Sequence, residues 1–538
     1  MSSLLLVNGR IHTQDPACAL ATAVAIRDGR FLAVGGDMEV RELAATGSRT
    51  IDLGGRRVIP GLTDAHFHYY DWALGRRRIL LTGVPTLGQL CERVARAARA
   101  VVTGAWLIGQ GWNETEWSDP RLPSRDDLDA AAPNHPVFLW HLGLHLAVGN
   151  SLALQAVGID SSTPDPPMGV IDKDSTGRPT GILRDLAINL VTSHIPGPPD
   201  VEVAQAFQEG FPCLHQLGLT GVQDQRLMGG LEGATAFRVW QGLQAEHSID
   251  LRVWMNLPGE RLDEIIALGL RTGMGDDCLR IGHCKYFADG AQGVHTAWML
   301  EPYEGSSTCG IQLTPMDAIE AALRRAQGAG LAIAVHAIGD RANRELSCVF
   351  ERVLGERPES GVLPPRAPHR IEHLQLIHPD DLRRVARMGI TASVQPLSIT
   401  DDIPMMAPTI GPRTRYAHAL RSMLDAGVRV AFGSDSPVTD PNPFWGIHAA
   451  VTRRKRDGSP AEGWHPEQRL TVTEAVWAYS MGPALAIGRQ GELGSISPGK
   501  LADLVVLDQD IFNIDPMEIA QVHPVLTVFD GRVVHETG

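Results

Sequence analysis

Short apolar runs recur along the middle of the chain, separated by stretches in which apolar residues fall at helical spacing. The runs are "VIPGLTDAHFH", then "LTGVQDQ" (219–225), "DLRVWMNL" (250–257), "LRIGHCKYF" (279–287), "LAIAVHA" (331–337), "HRIEHLQL" (369–376), "ITASVQP" (390–396) and "VRVAFGSD" (428–435). Intervening segments such as "MDAIEAALRRAQGAG" and "HPDDLRRVARMG" end in glycine, as capped helices do. Eight strands alternating with helices predict a (β/α)8 barrel, an α/β fold whose strands point their carboxyl ends at the active site. Polar residues gather at those ends: His66 and His68 close the first strand, Lys285 and Asp289 lie late in the fourth, His336 ends the fifth, His373 the sixth and Asp435 the eighth. A doubly wound sheet is the alternative, and it gives no reason for such residues on five separate strands.

The two chain ends have a different texture. Residues 1–58 read as short strands with turns, Asp28-Gly29 among them, and residues 488–538 repeat the pattern around Asp530-Gly531. Both ends are expected to build one small β-sandwich. The barrel then takes residues 59–75 and 201–487. Residues 76–200, too long for a structureless loop, are expected to form an inserted subdomain over the barrel mouth. After the eighth strand, Thr471 and Glu474 have the spacing of a capping box at a helix start.

Composition excludes several classes. At 538 residues, 43% hydrophobic and 20% charged, the chain is long enough for more than one core. No apolar run approaches the roughly 18 residues that span a bilayer. The amino-terminal "MSSLLLVNGR" reads as a first strand rather than a signal peptide. A net charge of −14 argues against a nucleic-acid surface, and the basic "RRKR" at 453–456 reads as a solvated helix end. Seven scattered cysteines without a C-x-x-C pair suit a reducing cytosol and exclude a cysteine-bound zinc finger.

His66 and His68 stand two apart on an extended strand, so both side chains face one way and can reach one metal ion or a close pair. Imidazole suits zinc and other first-row divalent ions. His336 and His373, each taken alone, read more readily as satisfied core histidines than as ligands. Asp435 in "FGSDSPV" sits where a barrel presents catalytic groups, with Gly433 allowing a tight turn; a capping role is the plain alternative. Lys285 is unusual, because the only lysines are Lys173, Lys285, Lys455 and Lys500. It can extend its ammonium to the barrel mouth or pair with Asp289. Its neutral amine can also react with carbon dioxide to give a carbamate, an anionic group with two oxygens that can bridge two ions.

Together "VIPGLTDAHFH", "KYFADG", "HAIGD", "IEHLQL" and "GSDSPV", in this order, resemble the metal-dependent amidohydrolase superfamily, within it the YtcJ-like branch, amidohydrolase family 3, which includes N-substituted formamide deformylases. The resemblance runs from "LLLVNGRIHT" and "GQGWNET" to "GSISPGKLADLVVLD". It implies a two-metal site, zinc by default, with His66, His68 and Asp435 on one ion, His336 and His373 on the other, and carboxylated Lys285 between them. Asp435 is then the catalytic residue, passing a proton from the attacking water to a leaving amine. The expected reaction is hydrolysis of a non-peptide carbon–nitrogen bond, an N-acyl or N-formyl amide, by a metal-activated hydroxide. A deaminase or cyclic-amide hydrolase on the same barrel is the alternative, as are a mononuclear site and, with the full ligand set against it, a non-catalytic binding barrel. Trp112, His145 and Asp289 are candidates for substrate contact. His283 departs from the family pattern and is expected beside the site rather than as a ligand. The expected partner is a small-molecule substrate, with no nucleic acid and no membrane; monomer and homodimer stay open.

Overall fold

The computed structural model describes residues 4–44, 47–167, 169–228, 232–356 and 364–537. Contacts divide the chain into two compact units, one formed by residues 1–69 and 208–538, the other by Tyr70–Phe207. The first holds an eight-stranded parallel sheet: β1 (Leu62–Phe67), β2 (Leu219–Asp224), β3 (Arg252–Pro258), β4 (Leu279–Phe287), β5 (Ile333–Ala337), β6 (Arg370–His373), β7 (Thr391–Val394) and β8 (Arg429–Phe432), each paired with its neighbour in chain order. The seam between β8 and β1 is closed just past the strand ends, where Asp435 N–H donates to His66 O (2.7 Å) and Phe67 bridges Ser436 in parallel. The eight apolar runs thus form a (β/α)8 barrel. Their near-continuous burial is that of strands covered on one side by helices and on the other by the barrel's own side chains.

Gly433 serves the seam in a way the sequence does not suggest. Its backbone is not left-handed; a β-carbon there would lie 2.4 Å from His66 N and 2.8 Å from Asp64 Oδ1, so glycine permits close approach rather than a turn. The left-handed residue is Asp435 itself, at φ 62°.

Beside the barrel, both chain ends share a six-stranded sheet ordered Arg532–Glu536, Pro524–Phe529, Leu504–Leu507, Arg57–Pro60, Arg10–His12 and Leu20–Ala21. A four-stranded sheet of Arg30–Gly35, Ala23–Arg27, Leu4–Val7 and Arg49–Asp52 joins it. Leu6, Val24, Val58, Leu504 and Val528 share one core, which unites residues from the two ends. Each such buried side chain contributes about 1.5–3 kcal/mol. The hairpins turn at Asp28 (φ 51°) and Gly29 (φ 72°), and at Asp530 (φ 51°) and Gly531 (φ 72°). Two left-handed centres match the twist of the flanking strands, which is why Asp-Gly stands at both.

Arg252, at the start of β3, locks this β unit to the barrel. Its Nε lies 2.9 Å and its Nη2 3.0 Å from Asp503, and Nη2 reaches Asp530 at 2.9 Å. Thr471 caps the helix Val472–Tyr479 in a reciprocal box with Glu474. The basic run at 453–456 differs from its reading as a solvated helix end. The preceding helix stops at Thr452, Arg453 takes φ 58°, and its buried guanidinium donates to Trp464 O (2.8 Å) and His418 O (2.9 Å); of the four, only Arg456 is exposed.

The unit Tyr70–Phe207 has its own sheet, ordered Gly169–Lys173, Pro179–Asp185, Leu146–Gly149, Val137–His141, Leu107–Trp112 and Ile79–Leu80. Leu90, Val94, Trp112, Leu128 and Leu139 fill one of its cores. Among the described residues no helix is long and apolar enough to cross a membrane.

Candidate metal centre

The strand β1 places His66 and His68 on one side, and the β8–β1 seam brings Asp435 to them. One donor atom from each of the three lies within 4.8 Å of the others. Asp435 Oδ1 is 3.2 Å from His66 Nε2 and 3.1 Å from His68 Nε2. The His66 ring centre is 4.7 Å from that of His373, and His373 is 4.5 Å from His336. Four histidines at the ends of β1, β5 and β6 thus cluster with the aspartate.

Lys285 is 2% exposed on the inward side of β4, with Nζ 5.0 Å from the Phe287 ring centre. Burial pulls its pKa down to about 8, against the opposing attraction of Glu372 and Asp435. Burial also drives His373 down to about 3 and His336 well below the usual imidazole value, so both rings are neutral and carry a lone pair. Asp435 behaves in the opposite sense. Burial alone would raise its pKa, yet the histidines around it hold it well below the usual carboxylate value.

The donor set fits a metal ion by its orphaned atoms. His66 Nε2 and His68 Nδ1 are buried and have no hydrogen-bond partner among the described residues, although a carboxylate oxygen stands 3.2 Å from the first. Three of the rings have one nitrogen engaged. His66 Nδ1 meets Glu372 Oε2 at 2.7 Å, His373 Nδ1 meets Gln395 Oε1 at 2.8 Å, and His336 Nε2 meets Gly290 O at 3.2 Å. Metal-binding histidines are commonly oriented in this way.

Glu372, Gln395 and Asp64 were not among the candidates from sequence. Glu372 adjoins His373, and adjacent strand residues ordinarily face opposite sides. Here His373 takes φ 72° and Leu374 φ 41°, so the strand end twists and both neighbours reach the His66 ring. The available signal was Arg370, two residues before Glu372 on the same face. Asp64 accepts from His66 N–H (3.0 Å) and Ser434 N–H (3.0 Å), holding the seam, and burial raises its pKa to about 7.

The other four sequence candidates each have partners of their own, and Asp289 Oδ1 also comes within 3.8 Å of His336 Nε2. Asp289 is fully buried and accepts N–H groups from Trp298 (2.8 Å), Ile338 (3.0 Å) and Gly339 (2.8 Å), so it fastens the loop after β4 to the end of β5, and its carboxylate is engaged there rather than with Lys285. His283 receives the Trp254 indole N–H on Nδ1 (3.0 Å) and donates from Nε2 to Pro368 O (3.0 Å); burial holds its pKa near about 3. Trp112 and His145 belong to the second unit. Trp112 is buried edge-on to His141 at 4.8 Å, and His145 Nδ1 pairs with Asp185 Oδ1 at 2.9 Å.

Known proteins are similar to this chain over most of its length. The YtcJ amidohydrolase of Bacillus subtilis (strain 168) is 31% identical over 532 residues, covering 98% of this chain and 98% of that protein. An N-substituted formamide deformylase of Arthrobacter pascens is 29% identical over 555 residues, covering 100% and 99%. The crystal structure of an uncharacterized metal-dependent hydrolase from Pyrococcus furiosus superposes with a TM-score of 0.77 at 28% identity, covering 95% of this chain and 100% of that one. Residues 49–535 match the model of the amidohydrolase family, and the chain belongs to that family.

Proposed function

We propose that this enzyme is a metal-dependent hydrolase of a non-peptide carbon–nitrogen bond, with an N-acyl or N-formyl amide as substrate. The observation that carries the reading is the donor set His66, His68 and Asp435, gathered within 4.8 Å and including a buried imidazole nitrogen with no partner among the described residues. The amide class is supported by likeness to a protein named N-substituted formamide deformylase.

In this reading His66, His68 and Asp435 hold one divalent ion and His336 and His373 a second, zinc being the default. Such ions polarise a carbonyl and make a bound water acidic. The chain's own part is to hold neutral imidazoles inward and to move a proton. Asp435 Oδ1 faces the imidazoles, leaving Oδ2 to take the proton of the attacking water and return it to the leaving nitrogen. Lys285, with its pKa lowered to about 8, has an accessible neutral form that can add carbon dioxide and release a proton, giving a carbamate that would help hold the ions. We place the enzyme in the cytosol, a reading supported by its unpatterned cysteines.

The test is metal analysis together with turnover on formamides, lactams and aminated rings. Release of formate or another carboxylic acid by the metal-loaded enzyme supports the reading; ammonia from a ring replaces it with a deaminase. Lys285→Ala should lose metal and activity together and regain part of both with a short carboxylic acid. A variant that keeps two ions and full turnover rules out that carbamate.

A further inference from the structure

We propose that Glu372, backed by Arg370, is a positioning residue for His66: its carboxylate keeps the imidazole proton on Nδ1 and so aims the Nε2 lone pair into the donor set. The proposal rests on the metal reading above.

Three features of the geometry carry it. First, Glu372 is 0% exposed in a barrel interior where a lone carboxylate would be costly, and its Oε2 lies 2.7 Å from His66 Nδ1. Second, Arg370, also 0% exposed, donates from Nη2 to Glu372 Oε2 (3.0 Å) and to Ala65 O (2.6 Å), while Nη1 reaches Gln223 Oε1. One guanidinium therefore fixes both the carboxylate that meets the His66 ring and the peptide that precedes it. Third, the arrangement is uneven. His373 leans on a neutral amide and His336 on a backbone carbonyl, with the Asp289 carboxylate beyond hydrogen-bond reach at 3.8 Å, whereas His66 has a carboxylate as its acceptor at 2.7 Å. A charged acceptor makes the stronger hydrogen bond and the more basic ring.

The rival explanation is a buried ion pair that only stabilises the barrel. Replacing such a pair by apolar groups of similar volume is often neutral for folding, whereas removing one partner is not. The two accounts therefore separate in Arg370→Met/Glu372→Leu, which removes both charges at once. Positioning predicts that this double variant folds, by circular dichroism and thermal unfolding, yet binds zinc about 10–100-fold more weakly in competition with a chromophoric chelator. Glu372→Gln, which keeps an acceptor oxygen but not the charge, should show a smaller loss and retain the Nδ1 proton in the histidine ring ¹⁵N spectrum. Wild-type zinc affinity in whichever of the two variants folds overturns the proposal while leaving the metal reading intact. Wild-type protein that takes up no divalent ion overturns both.

Discussion

The two ends of the barrel treat buried charge in opposite ways. At the base, Arg252 has every nitrogen engaged, with Asp503 and Asp530 on Nε and Nη2 and the Asp277 carbonyl 3.3 Å from Nη1. Burial alone would weaken that guanidinium, but the two carboxylates raise its pKa. At the mouth, His66 Nε2 and His68 Nδ1 lack partners among the described residues, and Asp435 faces imidazoles instead of a permanent cation. An unmet buried polar atom costs about 1–3 kcal/mol. A fold that engages every nitrogen of Arg252 at one end and leaves imidazole nitrogens without partners at the other has divided stability from chemistry, as barrels of this kind do.

The largest expected effect belongs to the mouth. Asp435→Ala should lower kcat by about 10²–10⁴-fold, the range for losing a general acid–base group. Steady-state kinetics on whichever amide proves to be a substrate gives the number, and thermal unfolding of the metal-free protein is the control. Its midpoint should stay within about 1 °C of wild type, about what 1 kcal/mol moves a protein of this size. A larger fall would mean that the mouth also carries stability.

The base should answer in the reverse sense. Arg252→Met leaves Asp503 buried beside Asp530 without a cation and should cost about 3–5 kcal/mol in denaturant unfolding. The kcat of the fraction that remains folded should equal wild type. A drop in kcat at unchanged stability would erase the distinction between the ends.

How far the sequence reaches follows the same line. The barrel was legible because each strand is an apolar run with its own turn residues, and the histidines, Lys285 and Asp435 stood out because they end such runs. Glu372 was not legible, since strand alternation assigns it to the face opposite His373 and only the left-handed backbone at His373 brings both inward. Asp64 was hidden because its partners are backbone N–H groups of residues close to the site, Ser434 among them, 370 positions away. Gly433 was read as a turn because sequence cannot show that His66 N would sit 2.4 Å from its missing β-carbon. Trp112 and His145 were visible as unusual residues; Trp112 packs in a hydrophobic core and His145 pairs with Asp185.

Gly433→Ala tests that close approach and joins the two kinds of effect. The added methyl must push β8 from β1, an overpacking change that costs about 1–3 kcal/mol. Because the same seam carries Asp435 N–H to His66 O, zinc affinity should fall with it, which chelator competition and thermal unfolding can follow in parallel. Loss of stability with unchanged affinity would separate the seam from the donor set.

The smallest effect asks whether the mouth is special as a whole or only at its donor atoms. Thr471 caps the helix Val472–Tyr479, accepting from Glu474 N–H at 3.3 Å while Glu474 Oε2 accepts from Thr471 N–H at 2.8 Å. Thr471→Ala removes the hydroxyl and one half of the box, and Glu474 keeps its pairing with Arg421. The expected cost is about 1 kcal/mol of stability. Zinc affinity and kcat should not change, because no atom of the box belongs to the donor set or to the groups that orient it. If kcat moved with so small a loss, the chemistry would depend on the packing of the surrounding helices. If it does not, function resides in the few buried atoms around His66 and Asp435, and the outer helices act on it only through the barrel's overall stability.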